Sequence, residues 1–179
     1  MRNIFISAGH GGLDSGASGN GYLEKDLTLE LRNLIVTELA KIGIKAGTDP
    51  DGNALVKTLA FIKGKFGAKD ILLDIHWNAG GGTGVEVIIP DVNSSFERQL
   101  AQRIADVVSS STGFKKRGGG VKTEKDAALK TLGWMRPSSE NILLETCFID
   151  SKSDMSVYQV NKFRIAKDIA NVLADFAKL

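Results

Sequence analysis

The stretch Ile4-Phe5-Ile6-Ser7-Ala8-Gly9-His10-Gly11-Gly12 and its counterpart Ile71-Leu72-Leu73-Asp74-Ile75-His76-Trp77-Asn78-Ala79-Gly80 decide the reading of the fold. Each is a short apolar run that delivers a histidine at its end, with glycines close behind. These are the only 2 histidines in the 179-residue chain. A continuous apolar run of this length reads as a strand buried on both faces, the kind found inside parallel sheets. In open sheets of that kind, ligands gather at the carboxyl ends of the strands. Imidazole is also the commonest metal ligand. Two histidines at equivalent strand ends therefore predict one shared site.

Outward from these two runs, strand and helix patterns alternate. Leu27, Leu31, Leu34, Ile35 and Leu39 recur at helical spacing, which predicts a helix over Glu24 to Leu39. A short strand is expected at Ile44 to Ala46, and a helix from a cap at Asn53 to about Phe66. Val85 to Ile89 and Asn141 to Phe148 read as further strands. A helix capped by Ser94 or Ser95 carries Phe96, Leu100, Ile104 and Val108 on one face. Gly113 to Leu129 is rich in glycine and lysine and reads as a long surface loop. A short helix near Ser151 to Val157 and a long one from Val160 to Ala177 close the chain. This alternation predicts an α/β fold: a twisted, mostly parallel sheet of about five or six strands with helices on both faces. No repeat or linker divides the chain, so residues 1–179 are expected to be a single domain, with no separate binding domain.

Composition narrows the function classes. Lys and Arg total 23 against 21 Asp and Glu, a formal net charge of +2. That is too mild to indicate nucleic acid as a partner. No apolar run approaches the about 18 residues of a membrane span, so no integral membrane contact is expected. No secretory leader is visible, which predicts cytoplasmic synthesis. The single cysteine, Cys147, lies in an apolar run and excludes an intrachain disulfide or a cysteine-rich zinc cluster. It reads as a buried thiol acting as a small hydrophobe. Phosphate-loop and serine-elbow motifs are absent.

A hydrolytic zinc site takes three protein ligands and leaves a fourth position open for water. His10 and His76 supply two. Glu24 is the candidate third, although an acidic residue in a first helical turn also suits the helix dipole. Asp14 is a rival ligand and equally a turn former. Glu145 sits inside an apolar strand, where an unpaired carboxylate is costly to bury. It is either a salt-bridged core residue or a general base whose pKa is raised by desolvation. Asp74 shares the strand face of His76 and either hydrogen-bonds that imidazole or pairs with a lysine. Asn78 orients substrate or shapes a turn. Trp77 and Trp134 line a groove or fill the core.

Four blocks together resemble the type 3 family of zinc-dependent N-acetylmuramoyl-L-alanine amidases. They are Ser7 to Ala17 (with Gly9-His10-Gly11-Gly12 and Asp14-Ser15-Gly16-Ala17), Glu24-Lys25-Asp26, Asp74 to Ala79 followed by Gly84-Val85-Glu86-Val87, and Leu144 to Asp150 with Asp154. Their order and spacing fit across nearly the whole chain. Three sites, four residues in all, depart from the family pattern: Asp74 stands for a serine, Trp77 for a small or apolar residue, and Thr146-Cys147 for a glycine-containing pair. An arginine-rich segment between the first helix and the second histidine is also missing.

The resemblance implies that His10, Glu24 and His76 bind one Zn2+ per chain and that Glu145 is the catalytic residue. Asp74, Asn78 and Trp77 are then expected around the metal or substrate. The implied substrate is peptidoglycan, cut between N-acetylmuramic acid and the L-alanine of the stem peptide. A phage or prophage lysis enzyme is expected, acting on the wall after release from the cytoplasm, with a monomer favoured. Two alternatives are an inactive peptidoglycan-binding module, marked by a lost ligand or glutamate, and a zinc peptidase or deacetylase acting on another wall amide.

Overall fold

The computed structural model describes residues 1–127 and 130–179. In chain order it contains β1 (Ile4–Ala8), a small hairpin of β2 (Ser18–Gly19) and β3 (Tyr22–Leu23), α1 (Glu24–Lys41), β4 (Gly47–Thr48) and α2 (Leu55–Ile62). There follow β5 (Ile71–Asn78), β6 (Val85–Ile89), α3 (Ser95–Thr112), β7 (Lys116–Thr123), β8 (Glu140–Phe148) and α4 (Lys152–Ala177). Six strands form one sheet in the order β4-β1-β5-β8-β6-β7. All neighbours run parallel except β6 against β8, so the expected mostly parallel α/β sheet is present.

The central strands β5 and β8 are apolar almost throughout because both of their faces are covered. Ile71, Leu73, Ile75 and Trp77 point into a large core with α1, α3 and α4. Leu72 and Leu143 point the other way, into a smaller core with Phe5, Ile62, Ile88, Trp134 and Met135. The two layers are unequal. Three long helices cover one face; among the described residues, α2 and a 3-10 turn at Gly133–Met135 accompany the other. Within the thick layer, Leu27, Leu31, Ile35 and Leu39 form the buried stripe of α1. α3 opens with a reciprocal capping box between Ser94 and Glu97, and closes at Gly113 in a left-handed conformation, φ 79°.

Several expected elements differ. Gly113 to Leu129 is not one loop. Residues 116–123 form the edge strand β7 and Glu124–Asp126 a 3-10 turn, while Ala128 and Leu129 lie outside the described residues. Low β-propensity hid this strand, since three of its eight residues are glycine. The short strand expected at Ile44 to Ala46 is instead Gly47–Thr48, paired with Phe5 and Ile6. The helix expected from Asn53 begins after Ala54, has no side-chain cap, and stops at Ile62. The two closing helices are one, since nothing between Val157 and Val160 breaks the ladder and Tyr158 is buried within it.

Candidate metal centre and active-site groove

β1 and β5 pair in register from Ile4↔Ile71 to Ala8↔Ile75, which brings the ends that bear His10 and His76 side by side. The two imidazoles stand edge to face with centroids 4.9 Å apart. Glu24, the first residue of α1, reaches between them. Its Oε2 lies 3.1 Å from His10 Nε2 and its Oε1 lies 3.1 Å from His76 Nδ1. The carboxylate is also fixed by the backbone, accepting from the N–H of Ala17 at 2.8 Å and of Trp77 at 2.9 Å. His10, Glu24 and His76 each offer a ligand atom within 4.8 Å of the others, a group able to hold a metal ion.

Each imidazole gives its second nitrogen to a carboxylate of its own. His10 Nδ1 is 2.9 Å from Asp14 Oδ2, and His76 Nε2 is 3.1 Å from Asp74 Oδ2. Such contacts fix the tautomer that leaves the other nitrogen free to ligate. Asp14 therefore stands behind His10 rather than in the ligand set. Its Oδ1 accepts from the Gly16 N–H, which folds the loop.

Backbone geometry makes room for this cluster. His10 is held at φ 66°, a left-handed conformation that costs energy for a side chain with a Cβ. A Cβ on Gly9 would lie 2.4 Å from His76 Cε1, and one on Gly16 would lie 2.6 Å from Glu24 Oε2. These two glycines leave the space that the candidate ligands fill.

Glu145 pairs with His76 in the parallel register of β5 and β8. It lines the same groove, and its Oε2 is sealed from solvent with no hydrogen-bond partner. Burial pushes its carboxyl up to about 7, against the pull of His76 and with support from Glu24, Glu86 and Asp74. Glu24 behaves oppositely. Burial would raise it, but hydrogen bonds from His10 and His76 outweigh that and hold it well below the usual carboxylate range. His10 is raised, chiefly by its bond to Glu24. Two carboxylates in one groove are thus driven in opposite directions, one toward permanent charge and one toward proton exchange near neutrality.

The groove of about 780 Å³ runs from His10 and His76 past the 78–82 segment to Phe148, Arg117 and Lys122. Its glycine wall is pinned from the turn before α4 and from the first turn of that helix. Asp150 accepts from the N–H groups of Gly80 and Gly81, and Asp154, in the first turn of α4, accepts from Gly84 and Phe148. Asn78 lines the groove; its side-chain amide donates to Glu86 at 2.9 Å and its side-chain carbonyl accepts from the Ala79 N–H. Trp77 is a core residue, 2% exposed and edge-on to Tyr158, so only its backbone N–H serves the site. Alternation sends its side chain to the face opposite His76. Trp134 is likewise buried and donates to the Ile142 carbonyl. Cys147 is buried, and burial pushes its thiol well up, which makes it unreactive.

Sequence reasoning missed Glu86, Arg117 and Lys122 as parts of the groove. Glu86 carried the same signal as Glu145, an acidic residue inside an apolar strand. The two cations were hidden because their strand read as a loop.

Comparison with known proteins extends over the whole chain. The profile of the N-acetylmuramoyl-L-alanine amidase family matches residues 4–175. The chain is similar to the N-acetylmuramoyl-L-alanine amidase CwlM of Bacillus licheniformis, at 34% identity over 184 residues, covering 97% of this chain and 68% of that protein. It is similar to the endolysin of Bacillus phage SPP1, at 29% identity over 185 residues, covering 98% of this chain and 66% of the endolysin. The N-acetylmuramoyl-L-alanine amidase AmiC2 of Nostoc punctiforme shares the fold, with a TM-score of 0.78, 23% identity, and coverage of 99% and 98%.

Proposed function

The chain belongs to the N-acetylmuramoyl-L-alanine amidase family, and from that premise we propose that His10, Glu24 and His76 hold one zinc ion, with Glu145 as the proton-transfer residue beside it. The protein is a peptidoglycan amidase, which hydrolyses the amide between N-acetylmuramic acid and the L-alanine of the stem peptide. We take residues 1–179 to act as one catalytic unit.

The observation that carries the metal reading is the spacing of the donors. Ligand atoms about 2.0–2.1 Å from one tetrahedral zinc stand about 3.3 Å apart. Glu24 places Oε2 3.1 Å from His10 Nε2 and Oε1 3.1 Å from His76 Nδ1, and one ligand atom from each of the three residues falls within 4.8 Å of the others, close enough for small side-chain shifts to close on one ion. Two histidines and one glutamate, each imidazole backed by a carboxylate, suit a catalytic zinc with an open position. When bound, zinc supplies a Lewis acid that polarises the scissile carbonyl and makes water a stronger acid.

The chain's own residues supply the proton traffic. Glu145 accepts a proton from the attacking water as its oxygen bonds to the amide carbon. It returns that proton to the alanine nitrogen as the carbon–nitrogen bond breaks. The products are the lactyl carboxylic acid and a stem peptide with a free amino end. A carboxyl poised near neutrality can do both halves of this exchange.

Similarity to a phage endolysin supports a role in host-wall lysis, with action on peptidoglycan after release. Among the described residues no helix is long and apolar enough to cross a membrane. The reading is tested by digesting purified sacculi and labelling new amino ends. New N-terminal alanine that appears only with the metal-loaded protein is expected. New reducing sugar ends or other amino ends would overturn it.

A further inference from the structure

Beyond the metal cluster, the groove wall carries a charge arrangement that hydrolysis of the amide does not require. Glu86 is buried on β6, directly opposite Glu145 in the antiparallel pairing. Its Oε2 receives two cations from β7: Arg117 Nε at 3.1 Å and Lys122 Nζ at 2.6 Å. Both cations share this one carboxylate, so neither has a carboxylate of its own. Lys122 follows Arg117 by five positions along the chain. In an extended strand they would stand about 17 Å apart and point to opposite faces. Here they converge, because Gly118, Gly119 and Gly120 all take positive φ, at 56°, 82° and 103°. Between Val85↔Lys116 and Val87↔Val121, two steps along β6 match five along β7. The triple-glycine bulge throws out the extra length and brings both cations to Glu86.

Arg117 is held so that part of it stays available. Its guanidinium lies over the Phe148 ring, 4.7 Å from the centroid, and its Nε is spent on Glu86. Among the described residues its two terminal nitrogens donate to no acceptor. Arg117 and Lys122 both line the groove that holds Glu145. A guanidinium edge of this kind binds a carboxylate through two parallel hydrogen bonds. The other charged side chain at this end of the groove is Asp126, which accepts from the Thr123 hydroxyl.

Resting on the amidase reading, we propose that Arg117 and Lys122 form a carboxylate subsite for the stem peptide, which the enzyme recognises by the free α-carboxylate of the glutamyl residue following L-alanine. That residue is joined to the stem through its side-chain carboxyl. Its α-carboxyl is left free in some walls and amidated in others. Glu86 orients the two cations, and Phe148 keeps the guanidinium flat against the wall.

The test uses a matched pair of muramyl peptides that differ only in a free or an amidated α-carboxyl, with the full metal-loaded chain. Wild type is expected to cleave the free acid with kcat/KM about tenfold higher, the size of a charge-assisted hydrogen bond that is partly exposed. The difference should lie in KM. In Arg117→Ala the ratio should collapse toward one, and Arg117→Lys should retain part of it. If Arg117→Ala does not fold by circular dichroism, Lys122→Gln carries the same test. Equal cleavage of both substrates by wild type would overturn the subsite, as would a variant that slows both in proportion. Calorimetry with the two product dipeptides gives a second readout. The acidic dipeptide should bind more tightly than its amide, and Arg117→Ala should erase the difference. If wild type cleaves neither substrate, the amidase reading fails, and the calorimetry alone decides charge recognition.

Discussion

Glu86 and Glu145 are register partners across the antiparallel pairing of β6 and β8, one carboxylate buried and the other half-buried with its Oε2 sealed from solvent. Their difference lies in company. Glu86 has Asn78, Arg117 and Lys122; Glu145 Oε2 has no partner. Burial, with Glu24 and Glu86 adding to it, lifts Glu145 to about 7. Activity should therefore fall as the pH drops through the Glu145 titration. The acidic limb of the kcat/KM profile is expected at or below about 7, because a bound cation favours the charged form. Glu86→Gln removes a repelling charge and should move that limb to lower pH. A limb that stays in place would show that Glu86 does not act on Glu145.

Glu145→Gln should lower turnover by about two to four orders of magnitude, the usual worth of a general acid–base residue. Metal content should be unchanged. A zinc assay beside the sacculus digest separates the two effects.

The same substitution should stabilise the metal-free protein. A carboxyl raised from 4.5 to about 7 on folding contributes stability below about 4.5, and loses it as the pH rises through about 7. Above that window ionised Glu145 costs on the order of 3 kcal/mol, which a neutral glutamine avoids. Chemical denaturation in chelator should place Glu145→Gln above wild type at pH 8 and level with it at pH 4.

Asp14 and Asp74 should matter to the metal without touching it. Asp14→Asn and Asp74→Asn are each expected to weaken zinc affinity by about 10–100-fold, since each orients an imidazole through its far nitrogen. Competition against a chromophoric chelator measures this directly, with no need for substrate.

Gly9→Ala should fail at the metal. The added methyl would lie 2.4 Å from His76 Cε1 and 2.6 Å from the Ile75 carbonyl oxygen. The ring must swing away from Glu24, so zinc stoichiometry should drop well below one. Full metal occupancy in this variant would contradict the close packing of the β1 end on His76.

The parts of the fold legible in the sequence are those set by apolar periodicity. The strands with His10 and His76, the stripe of α1 and the run around Glu145 all announce buried faces. Their convergence at one sheet edge follows from parallel strand order. What stayed hidden depends on partners distant in sequence. β7 has no alternation and three consecutive glycines at its centre, and it is a strand only because β6 offers it a ladder. Trp77 reads equally as a groove aromatic or a core one until the alternation of β5 assigns it to the core. Glu24 and an ordinary dipole-favouring first-turn acid look alike, and only the positions of both imidazoles separate them.

The unequal layers of the sheet separate folding from recognition. The three long helices lie on the face away from the groove, so most of the buried apolar mass sits behind the chemistry. The groove face, where the described residues include a two-turn helix and two 3-10 turns, is where relatives can differ in wall preference while the scaffold endures. For an engineer, segments 49–66 and 124–139 are the natural places to graft loops from enzymes that attack other walls.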